Sequence, residues 1–251
     1  MALLGLTVVG IDWRLALLCV LVIALGAAIQ ATIGLGMALL AAPFLALIDP
    51  AFIPVTTVVM VWPLSIGVAR REFHDVAWAD AGLALAGRLP GVIIGSLVVA
   101  STGTATIHFL VGISVLVAVA TSVTGYRVTT SRRNLLIAGL ASGFSGTAAG
   151  IGGPPMAIAY QHARPSTTRA TLAVFFGVGA VFSFTGLLLV GAVERRHLLL
   201  CLLLLPGVAL GLVLSRPLIS RLPEHRVRLA LLSMCSVSAV VLLTETLIEM
   251  R

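Results

Sequence analysis

The feature that most constrains this chain is a series of long apolar runs with almost no charge. The run Trp13–Ile33 contains one charged residue, Arg14, and the run Thr168–Val193 contains one, Arg169. A helix that crosses the hydrocarbon core of a bilayer needs about 20 predominantly apolar residues, so each run is long enough to cross. Because lipid offers no partner to an open strand edge, we expect the runs to be helical.

The rest of the chain follows the same pattern. Hydrophobic residues make up 59% of the 251 positions and charged residues 10%, whereas roughly 25% of the residues in a soluble domain are charged. We therefore predict an all-α polytopic membrane protein that forms a single integral membrane domain over residues 1–251. The predicted segments are Trp13–Ile33, 37–48, Phe52–Ala69, Trp78–Ala100, Thr106–Tyr126, Leu135–Ala149, 156–162, Thr168–Val193, Leu198–Leu214 and Val227–Leu247.

Two glycine-containing elements recur at one spacing along the chain. The sequence Leu-Pro-Gly-Val, with a further glycine three residues later, begins at Leu89 and again at Leu205, which is 116 positions on. The element Gly-x-Gly begins at Gly34 and again at Gly150, also 116 positions on. The shared offset indicates a gene duplication, and five segments in each half would make the second half inverted relative to the first. The two homologous half-repeats are predicted at about 13–126 and 134–248.

The charge pattern favours one orientation and argues against two classes of function. All 16 basic residues are arginine, and most of them lie in or beside the short gaps between apolar runs rather than in a patch, so we expect no nucleic-acid partner. The acids lie in loops or at segment ends, and the lack of a carboxylate in mid-segment argues against a cation transporter. In the inverted topology the arginine-rich loops share one side, which the positive-inside rule assigns to the cytoplasm. That side would hold Arg70, Arg71, Arg127, Arg132, Arg133, Arg164, Arg169, Arg216 and Arg221, and the other Arg14, Arg195, Arg196 and Arg251.

Both glycine elements are expected to interrupt a helix inside the bilayer. Gly34–Gly36 and Gly150–Gly153 can open the backbone, and Pro154 suits the first turn of a new helix, where its missing N–H would be unpaired anyway. Duplicated transporters bind substrate near the midplane, where discontinuous helices expose backbone ends. Free N–H groups and the positive end of the helix dipole at such a point favour an anion. The alternative is that these glycines only allow close helix packing.

Polar side chains lie near these breaks, and one charge lies deep in a segment. Gln30 needs a hydrogen-bond partner in lipid, whereas hydroxyl side chains in membrane helices often bond their own backbone. Arg88 follows Trp78 by ten positions, roughly 15 Å at 1.5 Å per residue, and an ionised side chain at that depth is a candidate functional residue. The candidate substrate-binding residues are Gln30, Thr32, Gly34, Gly36, Thr57, Arg88, Ser145, Gly150, Gly152, Gly153 and Pro154.

The glycine patterns resemble those of a known family over nearly the whole chain. Gly26-x-x-x-Gln30-x-x-x-Gly34-x-Gly36, followed by Pro43, opens the first half, and Gly146-x-x-x-Gly150-Ile-Gly-Gly-Pro-Pro opens the second. These motifs are similar to those of the sulfite exporter TauE/SafE family of bacterial membrane permeases. The resemblance implies alternating-access transport of sulfite, sulfonates or related organic anions across a bacterial inner membrane. The chain departs from the family at Met37 and Ala38, where the first glycine cluster is often richer.

Two other functions compete with anion transport. A channel or permease for an uncharged small solute is the first alternative. An intramembrane serine protease is the second, since Gly143–Gly146 superficially matches a G-x-S-x nucleophile at Ser145, with His162 or His197 as the base. The expected partners are a small anionic substrate and the lipid bilayer, with a homodimer as the assembly considered. No enzyme activity, cofactor or metal is expected.

Overall fold

The computed structural model describes residues 7–123, 129–160 and 163–221, together with 233, 236–237, 239–244 and 246–248. Two short antiparallel strands, β1 (Thr7–Val8) and β2 (Ile11–Asp12), precede the helices. The helices are α1 (Trp13–Ile33), α2 (Met37–Ile48), α3 (Val55–Glu72), α4 (Trp78–Ser101), α5 (Thr104–Val123), α6 (Arg132–Ala148), α7 (Gly153–Ala159), α8 (Pro165–Leu189) and α9 (Arg195–Arg221), with 3-10 turns at Pro50–Phe52 and Phe73–Asp75. Residues 239–244 and 246–248 are also helical.

The helices agree with the predicted all-α membrane class. Within the described residues, four helices are long and apolar enough to cross a membrane, namely α1, α4, α8 and α9 as far as Pro217. Helix α3 has 18 residues but ends in three consecutive charges, Arg70, Arg71 and Glu72. The predicted segment Val227–Leu247 lies largely outside the described residues.

The strand hairpin was not anticipated from the sequence. Val9 and Gly10 form its turn with φ angles of 57° and 80°, the pair of positive values that a type I′ hairpin turn requires. The carboxylate of Asp12 then accepts a hydrogen bond from the Arg14 N–H at 2.8 Å and caps α1. The hairpin therefore fixes how the chain enters its first long helix.

Glycines let two pairs of helices pack at almost backbone contact. On α4, a Cβ added at Gly91 would overlap the carbonyl oxygen of Leu140 on α6. On α9, a Cβ added at Gly207 would lie 2.5 Å from the carbonyl oxygen of Val20 on α1. Small residues of this kind commonly allow close helix packing in membrane proteins. The tight α4–α6 contact brings side chains from mid-α4 directly against α6.

Helix α2 lies inside the protein rather than on its surface. Nine of its 12 residues are buried, from Met37 through Pro43 and at Leu45 and Ala46. Its N-terminus follows the first glycine element, where Gly34 has a φ of 91° and its N–H donates to the carbonyl of Gln30 at 2.7 Å. The start of α2 is therefore held in the interior.

Candidate functional site

The chain is non-helical at both glycine elements, and a small cavity lies where they meet. Helix α1 ends at Ile33 and α2 begins at Met37, while α6 ends at Ala148 and α7 begins at Gly153. The cavity measures about 40 Å³, against the roughly 10–15 Å³ that one water molecule requires. Its wall includes six of the sequence-predicted residues, Gln30, Gly36, Arg88, Gly150, Gly152 and Gly153.

Residues at the start of α2 line the cavity. The first N–H groups of a helix have no acceptor within the helix. In α2 the first backbone bond runs from the N–H of Leu40 to the carbonyl of Gly36. The N–H groups of Gly36, Met37, Ala38 and Leu39 therefore have no acceptor within the helix. The Met37 N–H donates to Oε1 of Gln30 at 3.0 Å. The other three residues line the cavity and can donate to a bound group.

Helix α7 contributes fewer donors than α2. Gly152 and Gly153 line the cavity at the start of this helix. Pro154 and Pro155 follow them, and proline has no N–H. The two prolines favour helix initiation but also remove two N–H groups from the first turn. The main contribution of the second glycine element is therefore that a bound group can come close to its backbone.

Arg88 reaches this cavity from the middle of α4. It is 4% exposed, and its Nη1 donates to the hydroxyl of Ser142 on α6 at 3.1 Å while its Nη2 donates to the hydroxyl of Ser183 on α8 at 3.3 Å. Its guanidinium carbon lies 4.9 Å from the centre of the Phe175 ring, within cation–π distance. Two helices, α6 and α8, therefore hold the guanidinium that α4 supplies.

Ser142 connects the guanidinium to the second glycine element. Its hydroxyl accepts from Arg88 and donates to the carbonyl of Gly152 at 2.6 Å. The neighbouring hydroxyl of Ser183 also accepts from Thr147 at 2.8 Å. Arg88 is thus coupled by hydrogen bonds to the backbone where α7 begins.

Two glycines make room for the arginine side chain. A Cβ added at Gly179 on α8 would overlap the Arg88 guanidinium, and one added at Gly143 on α6 would lie 3.0 Å from its Cγ. The close fit restricts the guanidinium to one position. Any larger residue at Gly179 would have to displace it.

The charge of Arg88 has no counter-ion among the described residues. No carboxylate forms an ion pair with it, and its Nε has no hydrogen-bond partner there. Burying an unpaired charge costs several kcal/mol. A guanidinium without a counter-ion, on the wall of a cavity that the first turn of α2 also lines, is complementary to an anion.

An ion-pair network lies beside the cavity. Gln30 also lines a second, narrower cavity of about 10 Å³ that reaches Gly34, Ser65 and Arg169. Both carboxylate oxygens of Glu72 accept from Arg169 Nε at 3.0 Å. Arg71 lies 3.4 Å from the same carboxylate. Arg169 therefore links the wall of the second cavity to the carboxylate of Glu72 at the end of α3.

A comparison with protein-family models decides the family. The model described as Sulfite exporter TauE/SafE matches residues 10–242. The chain belongs to the sulfite exporter TauE/SafE family. Membership implies a membrane transporter of sulfite or related anions. No curated protein and no solved structure matches the chain.

The remaining predicted residues of this TauE/SafE chain lie close to the cavity without lining it. Thr32 donates to the carbonyl of Ala28 at 2.7 Å, and Ser145 donates to the carbonyl of Ala141 at 2.9 Å. Thr57 donates to the carbonyl of Pro54 at 2.8 Å and packs against Gly150. Of the other two, Gly34 caps α1, and Pro154 is buried in the first turn of α7.

The structure adds residues that were not among the predicted site residues. Ser183, Phe175 and Gly179, all on α8, surround the guanidinium. A sequence signal existed for Ser183, because a hydroxyl within a long apolar segment is a polar group that needs a partner. For Phe175 and Gly179 no signal separates them from other apolar and small residues in membrane helices.

The residues of the protease alternative have other partners in this TauE/SafE chain. Ser145 bonds its own helix, and Nδ1 of His197 accepts from the Glu194 N–H at 2.8 Å. His162 lies outside the described residues. Among the described residues, no group of three or more His, Cys, Asp or Glu side chains could hold a metal ion.

Proposed function

We propose that this protein carries a small oxyanion such as sulfite across the membrane by alternating access, with the anion bound at Arg88. The observation that carries the proposal is the buried guanidinium, which has no carboxylate partner among the described residues and lines the same cavity as Gly36, Ala38 and Leu39 at the start of α2. The anion would supply the missing negative charge. Gln30, whose Oε1 is already bonded to Met37, would offer its NH₂ group as a further donor.

The packing of the two halves supports an inverted repeat. The Leu-Pro-Gly element of the first half, on α4, packs against α6, the first helix of the second half. The matching element on α9 packs against α1, and the equivalent helices α3 and α8 pack against each other. A pseudo-two-fold axis exchanges such pairs, and transporters built this way rock one repeat against the other around a fixed site. The repeat mate of Arg88 is Leu204, so the charge itself is not duplicated.

Ion pairs at the two ends of the protein support a closed conformation. Glu72 and Arg169 join α3 to α8, near the arginines assigned to the cytoplasmic side. Arg196, at the start of α9, pairs with Asp49 at the end of α2, near the residues assigned to the other side. We propose that breaking one pair at a time opens the Arg88 cavity to one side of a bacterial inner membrane.

Counterflow in proteoliposomes tests the proposed function. Vesicles that contain the purified chain and unlabelled sulfite are diluted into a trace of ³⁵S-sulfite, and the label inside is followed over time. An anion carrier should trap label transiently above equilibrium, and external sulfite or a small sulfonate should compete with the label. Entry that neither saturates nor responds to internal sulfite would contradict the proposal and favour the channel alternative.

A further inference from the structure

A second cluster of arginines lies outside the transport cavity, in a cleft between α3 and α9. Arg70 and Arg71 are in the last turn of α3, and Arg216 is five residues before the end of α9. The cleft has a volume of about 360 Å³, and Leu212 and Val213 form its apolar part. Both helices end on this face, so the cleft lies at one edge of the apolar part of the protein.

The arginines of the cleft carry an excess of positive charge. Arg71 is held by the carbonyl of Ala31 at 2.9 Å and by the hydroxyl of Ser215 at 3.3 Å. Its acidic neighbour, Glu72, is shared with Arg169. Arg70 and Arg216 are exposed and form no ion pair with any described residue. Arginine at a helix C-terminus is favoured by the helix dipole, but the dipole does not explain why arginines of two helices face one cleft.

The apolar part of the cleft continues onto the outer surface of α9. Val213 is 64% exposed and Leu214 is 42% exposed. These side chains stand next to Arg216 on a helix that is apolar enough to cross a membrane. A ligand for this cleft therefore needs a compact anionic group beside an apolar chain.

We propose that the cleft of Arg70, Arg71 and Arg216 binds the head group of an anionic phospholipid, whose acyl chains pack along Val213 and Leu214. Guanidinium groups bind phosphate oxygens in bidentate geometry, and basic pockets between membrane helices on the cytoplasmic side bind anionic head groups. A phospholipid head group and free phosphate share only the phosphate group that the arginines would bind. The exposed apolar residues favour the lipid.

Binding of fluorescent phosphatidylglycerol to the full chain in detergent tests this proposal. The Arg70→Gln/Arg216→Gln variant should bind it about 25-fold more weakly, because each arginine near an anionic lipid surface contributes about fivefold. The control Arg14→Gln/Arg195→Gln removes the same charge from the opposite end of the protein and should change the affinity less than about threefold. Unlabelled phosphatidylglycerol should displace the probe, while phosphatidylcholine and inorganic phosphate should not.

Three results would overturn the lipid site. These are equal weakening in the two double variants, displacement by inorganic phosphate, and equal binding of phosphatidylcholine. If the double variant unfolds, Arg216→Gln alone serves, with an expected loss of about fivefold. Arg88→Gln should keep phosphatidylglycerol binding, so the lipid site and the transport site can fail separately.

Discussion

Replacing Arg88 by glutamine should weaken anion binding strongly without destabilising the protein. Glutamine keeps a polar side chain but removes the charge and the two bonds to Ser142 and Ser183. A guanidinium and an anion about 4 Å apart attract by about 4 kcal/mol at an effective dielectric constant of about 20. A hydrogen bond to a charged group contributes about 1.5–3 kcal/mol. A loss of about 3 kcal/mol corresponds to a roughly 100-fold increase in the sulfite concentration that gives half-maximal flux.

The same substitution should not lower the stability of the protein, although it weakens anion binding. The wild-type chain buries a guanidinium whose charge no described carboxylate balances, and an unpaired buried charge costs several kcal/mol. Arg88→Gln removes that cost, so its melting temperature without substrate should equal or exceed that of the wild type. Sulfite should raise the melting temperature of the wild type and leave that of the variant unchanged, since only the wild type binds it.

Counterflow and thermal unfolding, measured on the same preparations, separate the effect of Arg88 on anion transport from its effect on stability. Arg88→Lys should fall between the wild type and Arg88→Gln, because an ammonium keeps the charge but cannot reproduce the planar fork. Arg195→Gln, at the exposed start of α9, is the matched control for the loss of one positive charge. Full flux in Arg88→Gln, or a loss of flux that only follows a lower melting temperature and abundance, would refute the reasoning.

Three further predictions concern the surroundings of the cavity. Gly179→Ala should reduce the apparent affinity for sulfite at least about tenfold, because its Cβ overlaps the guanidinium and small misplacements are costly. Glu72→Gln should speed labelling of Ser65→Cys by a membrane-impermeant thiol reagent about tenfold, measured without the three native cysteines. The substitution breaks the ion pair of Arg169, which lines the second cavity together with Ser65. Ser142→Ala should reduce counterflow, whereas Ser145→Ala should not, because only the first hydroxyl contacts the guanidinium.

Each of these variants has a control on the same chain. Gly82 lies on α4, and a Cβ added there would have nothing within 4 Å. Gly82→Ala should therefore leave the apparent affinity for sulfite unchanged. Glu194→Gln, an exposed acid on the opposite side, should leave the labelling rate unchanged. Equal effects in a variant and its control, or loss of counterflow in Ser145→Ala, would contradict the corresponding assignment. Cleavage of a membrane substrate that disappears in Ser145→Ala would favour the protease alternative.

Much of the fold and part of the site follow from local properties of the sequence. The apolar runs predicted the helical membrane class, since a segment must match the thickness of the bilayer. Six of the eleven predicted site residues, including Gln30 and Arg88, line one cavity. Glycine and proline limit helices through their own backbone geometry, so positions such as Gly36 could be recognised without any tertiary contact.

The identity of the neighbouring groups that form the site depends on how the helices pack. Ser142 and Ser145 are three residues apart on α6, yet one contacts Arg88 and the other bonds its own helix. The rotation of α6 against α4, fixed by contacts such as that between Gly91 and Leu140, selects between them. The partners of Arg88 lie 54 and 95 positions away along the chain. The sequence by itself determined that a charge is buried in a membrane helix, because depth depends on position along one segment. Its partners depend on packing between segments, which no single segment specifies.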